Sequence, residues 1–149
     1  MQIAAVWIRT PTRTLYYSQF DDAFVQERYA SLHALSVLSV QYLQDIVVSK
    51  REQQLQFFVF GTQGANEVIL VQALNLLVES VAKVGGDAGA QEDLLLQNFM
   101  ELSTTLSEVV DQGQLLTDEV PEIFQRQESA GMVRNVAAGM RFLAKTIIQ

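Results

Sequence analysis

The stretch that most limits what this chain can fold into lies at its centre. Leu55-Gln56-Phe57-Phe58-Val59-Phe60 is followed, after the polar segment Gly61 to Asn66, by the long apolar run Glu67 to Val84. A strand that is apolar on both faces belongs in the middle of a sheet covered on both sides. In the run after it, Glu67, Gln72, Asn75, Glu79 and Lys83 fall on one narrow stripe at helical spacing, and almost everything else is apolar. That pattern predicts a helix over 67–84 buried on more than one side. Asn66 is placed to cap its N-terminus, and Gly85-Gly86 to end it in the left-handed conformation that glycine tolerates. So little polar surface is available on this helix that some apolar surface should stay open unless other helices cover it.

The flanking segments extend the same architecture. Gln2 to Ile8 is short and β-branched, Thr10-Pro11-Thr12-Arg13 makes a turn, and Thr14 to Phe20 reads as the hairpin partner. Asp21-Asp22 followed by Phe24, Val25, Tyr29, Leu32 and Leu35 predicts a helix over roughly 22–35. Ser36 to Gln44 is ambiguous between helix end and strand, because a short apolar run does not declare its period. Asp45 to Val48 and Leu55 to Phe60 read as strands joined by the polar turn Ser49 to Gln53.

Beyond the central helix, Gln91 to Asp111 reads as a second long helix with a stripe of Leu95, Phe99, Leu102, Leu106 and Val109, stopped by Gly113. Leu115-Leu116 lies in a connector, and Asp118 to Arg126 predicts one or two helical turns with Pro121 near their start. Ser129 to Ile148 carries a helical seam at Val133, Val136, Met140, Leu143 and Ile147. The expected strands are therefore near 2–8, 14–20, 45–49 and 54–60, and the main helices near 67–84 and 91–112. Leu70, Leu74, Leu77, Phe99, Leu102 and Leu106 should lie in the core. Adjacent strands with short turns argue for an antiparallel meander with helices on its faces, an α+β domain.

Composition narrows the function. At 149 residues, 49% hydrophobic and with two prolines, the chain suits one domain with a substantial core. Cysteine is absent, which removes disulfides, thiolate metal sites and Cys nucleophiles and fits a reducing compartment. MQIAAVWIRTPTR lacks a basic n-region and does not read as a signal peptide, and the run from Val68 to Val84 is too interrupted by polar residues for a bilayer span. The net charge of −7 argues against nucleic-acid binding. The acid excess stops at residue 129: Arg134, Arg141 and Lys145 face no acid between 129 and 149. A basic amphipathic helix of this kind can touch anionic lipid or dock on protein, and three charges favour protein.

The search for chemistry finds no catalytic, cofactor-binding or metal residues. His33 is the only histidine, so it reads as a structural or surface residue. Gly85-Gly86-Asp87-Ala88-Gly89 follows a helix instead of a strand, the wrong context for a phosphate cradle. Asp21-Asp22, Glu92-Asp93 and Asp118-Glu119 sit where first helical turns favour negative charge. Asp111 with Leu115-Leu116 has the spacing of an acidic dileucine signal, but such signals are extended and exposed, whereas these leucines are expected to pack. Phe57, Phe58 and Phe60 lack interleaved basic residues, so they read as core and not as a base-stacking platform.

Two stretches resemble a known family. QFFVFGTQGANEVILVQALNLLVESVAKV resembles the central part of the coatomer zeta subunit: an aromatic strand ending in Gly-Thr, a polar loop with Asn-Glu, then a nearly all-apolar helix. SEVVDQGQLLTDEVPEIFQRQ resembles a later segment of that family, with Ser107 to Asp111, Gly113, Leu115, Leu116 and Thr117 in register. The N-terminal hairpin, the Val25-Gln26-Glu27-Arg28 helix start and the helical tail are also similar. Two departures, the Thr10 to Arg13 turn and a shortened first helix, suit a divergent member of the wider group that includes clathrin-adaptor sigma chains and the TSET/TPLATE small subunit. The resemblance implies a longin-like fold over 1–149: five antiparallel strands with one helix on one face and two on the other, and 129–149 as a C-terminal amphipathic helix. It implies a non-catalytic small subunit of a vesicle-coat or adaptor heterotetramer in protein transport, held by a large helical-repeat subunit beside a medium chain. It further implies no cofactor, no nucleic acid, and peripheral association with Golgi or other coated membranes from the cytoplasm. A longin-type tether or guanine-nucleotide-exchange component is the alternative. No pocket residue can be transferred from the sigma chains position by position, so the partner-binding residues are left unassigned.

Overall fold

The computed structural model of the protein describes residues 1–86 and 91–122. Five strands form one antiparallel sheet: β1 (Ile3–Arg9), β2 (Thr14–Gln19), β3 (Ser39–Tyr42), β4 (Ile46–Glu52) and β5 (Leu55–Gly61), in the order β2-β1-β5-β4-β3. The doubly apolar β5 sits in the middle, as its composition requires, and every residue in it is buried. Alternation then divides the sheet into two cores. Val6, Ile8, Val48, Phe57 and Val59 face one side, and Trp7, Val47, Phe58 and Phe60 face the other. The turn expected at Ser49 to Gln53 is shorter than predicted. β4 runs on to Glu52, and only Gln53-Gln54 separate it from β5, with Gln53 at φ 57°.

On the first face lie three helices, α1 (Glu67–Gly85), α2 (Glu92–Gln97) and α3 (Phe99–Val109). The Asn66 side chain accepts a hydrogen bond from Val68 N–H at 2.9 Å, which makes it the cap of α1. Leu70, Ala73, Leu74, Leu77 and Val81 project from α1 into the core, where Leu95 of α2 and Leu102, Leu106 and Val109 of α3 meet them. The strand-to-helix passage is tight. A Cβ at Gly61 would lie 2.6 Å from Leu70 Cδ1 and 3.1 Å from Ala65 Cβ, so a larger residue at the end of β5 would force the Leu70 side chain to move.

The second long helix is two helices. At Asn98 the backbone leaves helical geometry (φ −108°, ψ 34°), and the Asn98 side-chain amide donates at 3.0 Å to Leu94 O, the carbonyl that also accepts the Asn98 backbone N–H at 3.1 Å. The break resets the helical phase, so Phe99, expected in the core, is 41% exposed, whereas Leu70, Leu74, Leu77, Leu102 and Leu106 are buried as expected. After α3 come two short strands, β6 (Val110–Asp111) and β7 (Gln114–Leu115), where the sequence suggested only a helix end and a connector. Gln112 and Gly113 both have positive φ, the signature of a tight two-residue hairpin loop. A Cβ on Gly113 would lie 2.8 Å from Ile3 O, and Gly113 O accepts from the N–H groups of Gln2 and Ile3. This turn therefore fastens the start of β1. Residues 118–122 are not helical, contrary to expectation. The rest of the turn predicted to Arg126 and the 129–149 helix lie outside the described residues.

The other face differs most from expectation. In place of a helix over 22–35 there is a single 3-10 turn, Gln26–Tyr29, set in extended chain. Phe24 and Tyr29 stack on each other, with centroids 5.7 Å apart, and both lie against Phe60. They and Ala34 are buried, whereas Val25 and Leu35 of the predicted stripe are exposed. The ambiguous 36–44 stretch resolves as β3, the edge of the sheet.

Candidate functional site

The segment that replaces the helix is held by polar groups of the sheet. Arg9, at the end of β1, is 7% exposed; its guanidinium carbon lies 4.1 Å from the Trp7 ring centre and 4.6 Å from that of Phe58. Arg9 Nη2 donates to Tyr29 O at 3.1 Å and to Leu32 O. Gln56 Oε1, in β5, accepts from Ala34 N–H at 2.7 Å, and Leu35 O accepts from Arg51 N–H. A helix would need those carbonyls for itself, so these contacts hold the segment flat. Burial lowers the Arg9 pKa from its ordinary value. At the far end, Tyr29 O–H donates to Asp45 Oδ2 at 2.5 Å and accepts from Asp45 N–H, with Arg28 3.6 Å from the same carboxylate. Burial, then the Asp45 contact, raises the Tyr29 pKa.

Where this segment runs into β3 the surface becomes apolar. Leu35, Val37, Leu38, Tyr42 and Leu43 are all exposed, Val37 at 63% and Tyr42 at 67%. No charged residue occurs from Ala34 to Gln44. Among the described residues β3 pairs only with β4, so its outer row of backbone N–H and C=O groups faces away from the sheet. Sheet edges are ordinarily protected by lysine, proline or a bulge, and none of these is present in β3. A smaller apolar group, Phe99 and Met100, is exposed at the start of α3, and on α1 Val68 is the large residue left open. The exposure anticipated on α1 thus lies mainly elsewhere.

The residues singled out by the sequence do not converge. His33 is exposed beside the Arg9 end of the sheet. Asp21 Oδ1 accepts from Ala23 N–H in a turn, and Glu92 and Asp93 open α2 while pairing with Arg13, to which Asp93 lies at 3.1 Å. That bridge joins positions far apart in sequence and left no local signal. Glu119 N–H donates to Thr117 Oγ1. Leu115 packs against the core, whereas Leu116, also expected to pack, is 56% exposed. Phe57, Phe58 and Phe60 are buried core. No cluster of three or more His, Cys, Asp or Glu able to hold a metal occurs among the described residues. α1 is long and apolar enough to cross a membrane by composition, and it packs as the core helix of this sheet.

What the fold and its surface define is a small α+β domain: an antiparallel sheet with a helical layer on one face and an apolar edge exposed among the described residues. The comparisons place it. The clathrin adaptor complex small chain family matches residues 14–133, and the chain belongs to that family. Coatomer subunit zeta-1 of Homo sapiens and that of Bos taurus are each 30% identical over 80 residues, covering 54% of this chain and 45% of the relative. The matched region is thus less than half the length of those relatives. A full-length AP-3 complex, described as a homology model in a stretched open conformation, contains a chain that superposes with a TM-score of 0.54 at 14% identity, over 79% of this chain and 86% of that one. This likeness shows the fold, which is longin-like.

Proposed function

We propose that this chain is a non-catalytic small subunit of a vesicle-coat or adaptor heterotetramer, of coatomer-zeta type, working in intracellular membrane trafficking. Family membership supplies the class, and the observation that carries the docking role is the uncharged apolar strip from Leu35 to Leu43 along an unprotected sheet edge. A lone domain gains nothing from such an edge, whereas a partner that covers it removes apolar surface from water and pairs the open backbone groups. The reading takes a large helical-repeat subunit and a medium chain as partners. Attachment to Golgi or other coated membranes is peripheral, from the cytoplasmic side and through the complex. Of the acids the sequence singled out, Asp21 is engaged in a turn and Glu92 and Asp93 in ion pairs with Arg13, which is how structural carboxylates are used. Affinity purification of the full chain from its native cells, followed by mass spectrometry, tests this. Stoichiometric recovery of a large solenoid subunit with a medium chain is expected. Recovery of a tethering or exchange complex without those two subunits would overturn the reading.

A further inference from the structure

The Arg9 end of the sheet holds a second feature that the docking role does not use. A cavity of about 190 Å³ opens there, lined by Arg9, Thr10, Arg13, Thr14, His33 and Gln56 among others, with no carboxylate in its wall. A second, of about 500 Å³, shares His33 and Gln56 with it and adds Arg51, again without an acid. In a chain of net charge −7 this is a local concentration of basic groups.

Arg9 is the physical reason to read this as a site. It is more than nine-tenths buried, and no carboxylate among the described residues pairs with it. Buried charges are ordinarily paired, because removing an ion from water is costly unless an opposite charge compensates. Here Nη2 is used by the carbonyls of Tyr29 and Leu32, and the ring faces of Trp7 and Phe58 flank the guanidinium. Nε and Nη1 have no acceptor among the described residues, and because both bidentate edges of the guanidinium run through Nη2, each offers a ligand a separate N–H donor and not a fork. Beside it, Thr14 Oγ1 accepts from Trp7 Nε1 at 2.9 Å, so the hydroxyl proton of Thr14 is free to donate. Arg13 contributes less, since Glu92 and Asp93 already offset its charge. The cavity is smaller than the ~300–1,000 Å³ of sites for drug-sized molecules, so it suits a small anion or the charged end of a larger one.

We propose that this cavity binds a phosphate-class oxyanion, either free phosphate or the phosphate of a monoester. One open N–H of Arg9, on Nε or Nη1, the Thr14 hydroxyl and the His33 ring supply the donors, and the ligand provides the countercharge that Arg9 lacks.

Trp7, the only tryptophan, lies against Arg9 and reports on the site. The full chain is titrated with inorganic phosphate and, in a parallel arm, with glycerol 3-phosphate, while chloride holds the ionic strength constant. A saturable change in tryptophan fluorescence with half-saturation at about 1 mM or tighter is expected. Equal affinities for the two ligands assign the site to free phosphate, and tighter binding of the ester assigns it to a monoester. Arg9→Lys keeps the charge but loses the planar guanidinium held against Trp7 and Phe58, and it should weaken binding. Because that buried change can also disturb folding, Pro11→Asp is the second variant: Pro11 is exposed and lines both cavities. It should keep the melting profile and weaken binding about tenfold or more, by placing a negative charge at the mouth. A linear response, an equal response to chloride alone, or unchanged binding by a folded Pro11→Asp protein would overturn the proposal.

Discussion

Tyr29 joins the polar and apolar halves of the face that lacks a helix. Its ring stacks on Phe24 and meets Phe60, its carbonyl receives Arg9, and its hydroxyl is bonded to Asp45. The raised pKa, caused first by burial and then by the Asp45 contact, makes a pH prediction. The folded state holds the phenolic proton more tightly than the unfolded state does. The associated stability is therefore fully present below the ordinary tyrosine pKa of about 10 and is lost as pH rises above it. Urea unfolding between pH 8 and 11 should show stability falling at the alkaline end, and Tyr29→Phe should flatten part of that fall. Part of the slope should remain, because Tyr16 and Tyr17 are also shifted upward by burial. An unchanged slope in Tyr29→Phe would show that the Tyr29 hydroxyl, through neither its burial nor its Asp45 contact, couples to folding in this pH range. Residue-level reading of the sequence had no access to this pair: Tyr29 and Asp45 meet only because the intervening chain lies flat across the sheet.

At the scale of elements, legibility followed the strength of the local pattern. The 67–84 run had one possible period and a capping asparagine, and α1 forms as predicted. The 22–35 segment had mixed spacing and no run long enough to stand alone. There the tertiary donors Arg9 and Arg51 claimed backbone carbonyls and the side chain of Gln56 took a backbone N–H, so the helix did not form. The 91–112 pattern was helical throughout, but it concealed the break at Asn98, whose backbone and side chain both turn back onto Leu94 O. That break makes Phe99 and Leu106 a discriminating pair, since the sequence assigned both to one stripe. Leu106 is fully buried, and Leu106→Ala should cost about 2–4 kcal/mol in denaturant unfolding. Phe99→Ala should cost under about 1 kcal/mol, as for an exposed position away from the core. Equal losses would mean that α2 and α3 act as one continuous helix. The chemistry of the Arg9 cavity was invisible at this scale, because its walls come from β1, the hairpin turn, the 30–33 segment and β5.

For the molecule as a whole, the question is why a domain with a well-filled core keeps an apolar edge. Two cores lie on the two faces of one sheet; Val40 packs against the first, but Leu35, Val37, Leu38, Tyr42 and Leu43 around it belong to neither. Their exposure therefore serves neither core, and the absence of charge from Ala34 to Gln44 removes the usual barrier to pairing with another chain. In a chain of net charge −7, self-repulsion opposes association everywhere except along this edge, which focuses contact there. The isolated protein should accordingly self-associate as its concentration rises, and co-expression with the large subunit proposed above should suppress this by covering the edge. Leu38→Lys combined with Tyr42→Lys tests the assignment, because both side chains are exposed and charge on an edge strand opposes pairing. By sedimentation the double variant should stay monomeric where the parent protein associates, and in purification from cells it should lose most of its partner. Its unfolding midpoint should stay near that of the parent, as surface changes usually shift stability by no more than about 0.5 kcal/mol. Retention of the partner by a folded double variant would move the interface away from β3, toward Phe99 and Met100 at the start of α3.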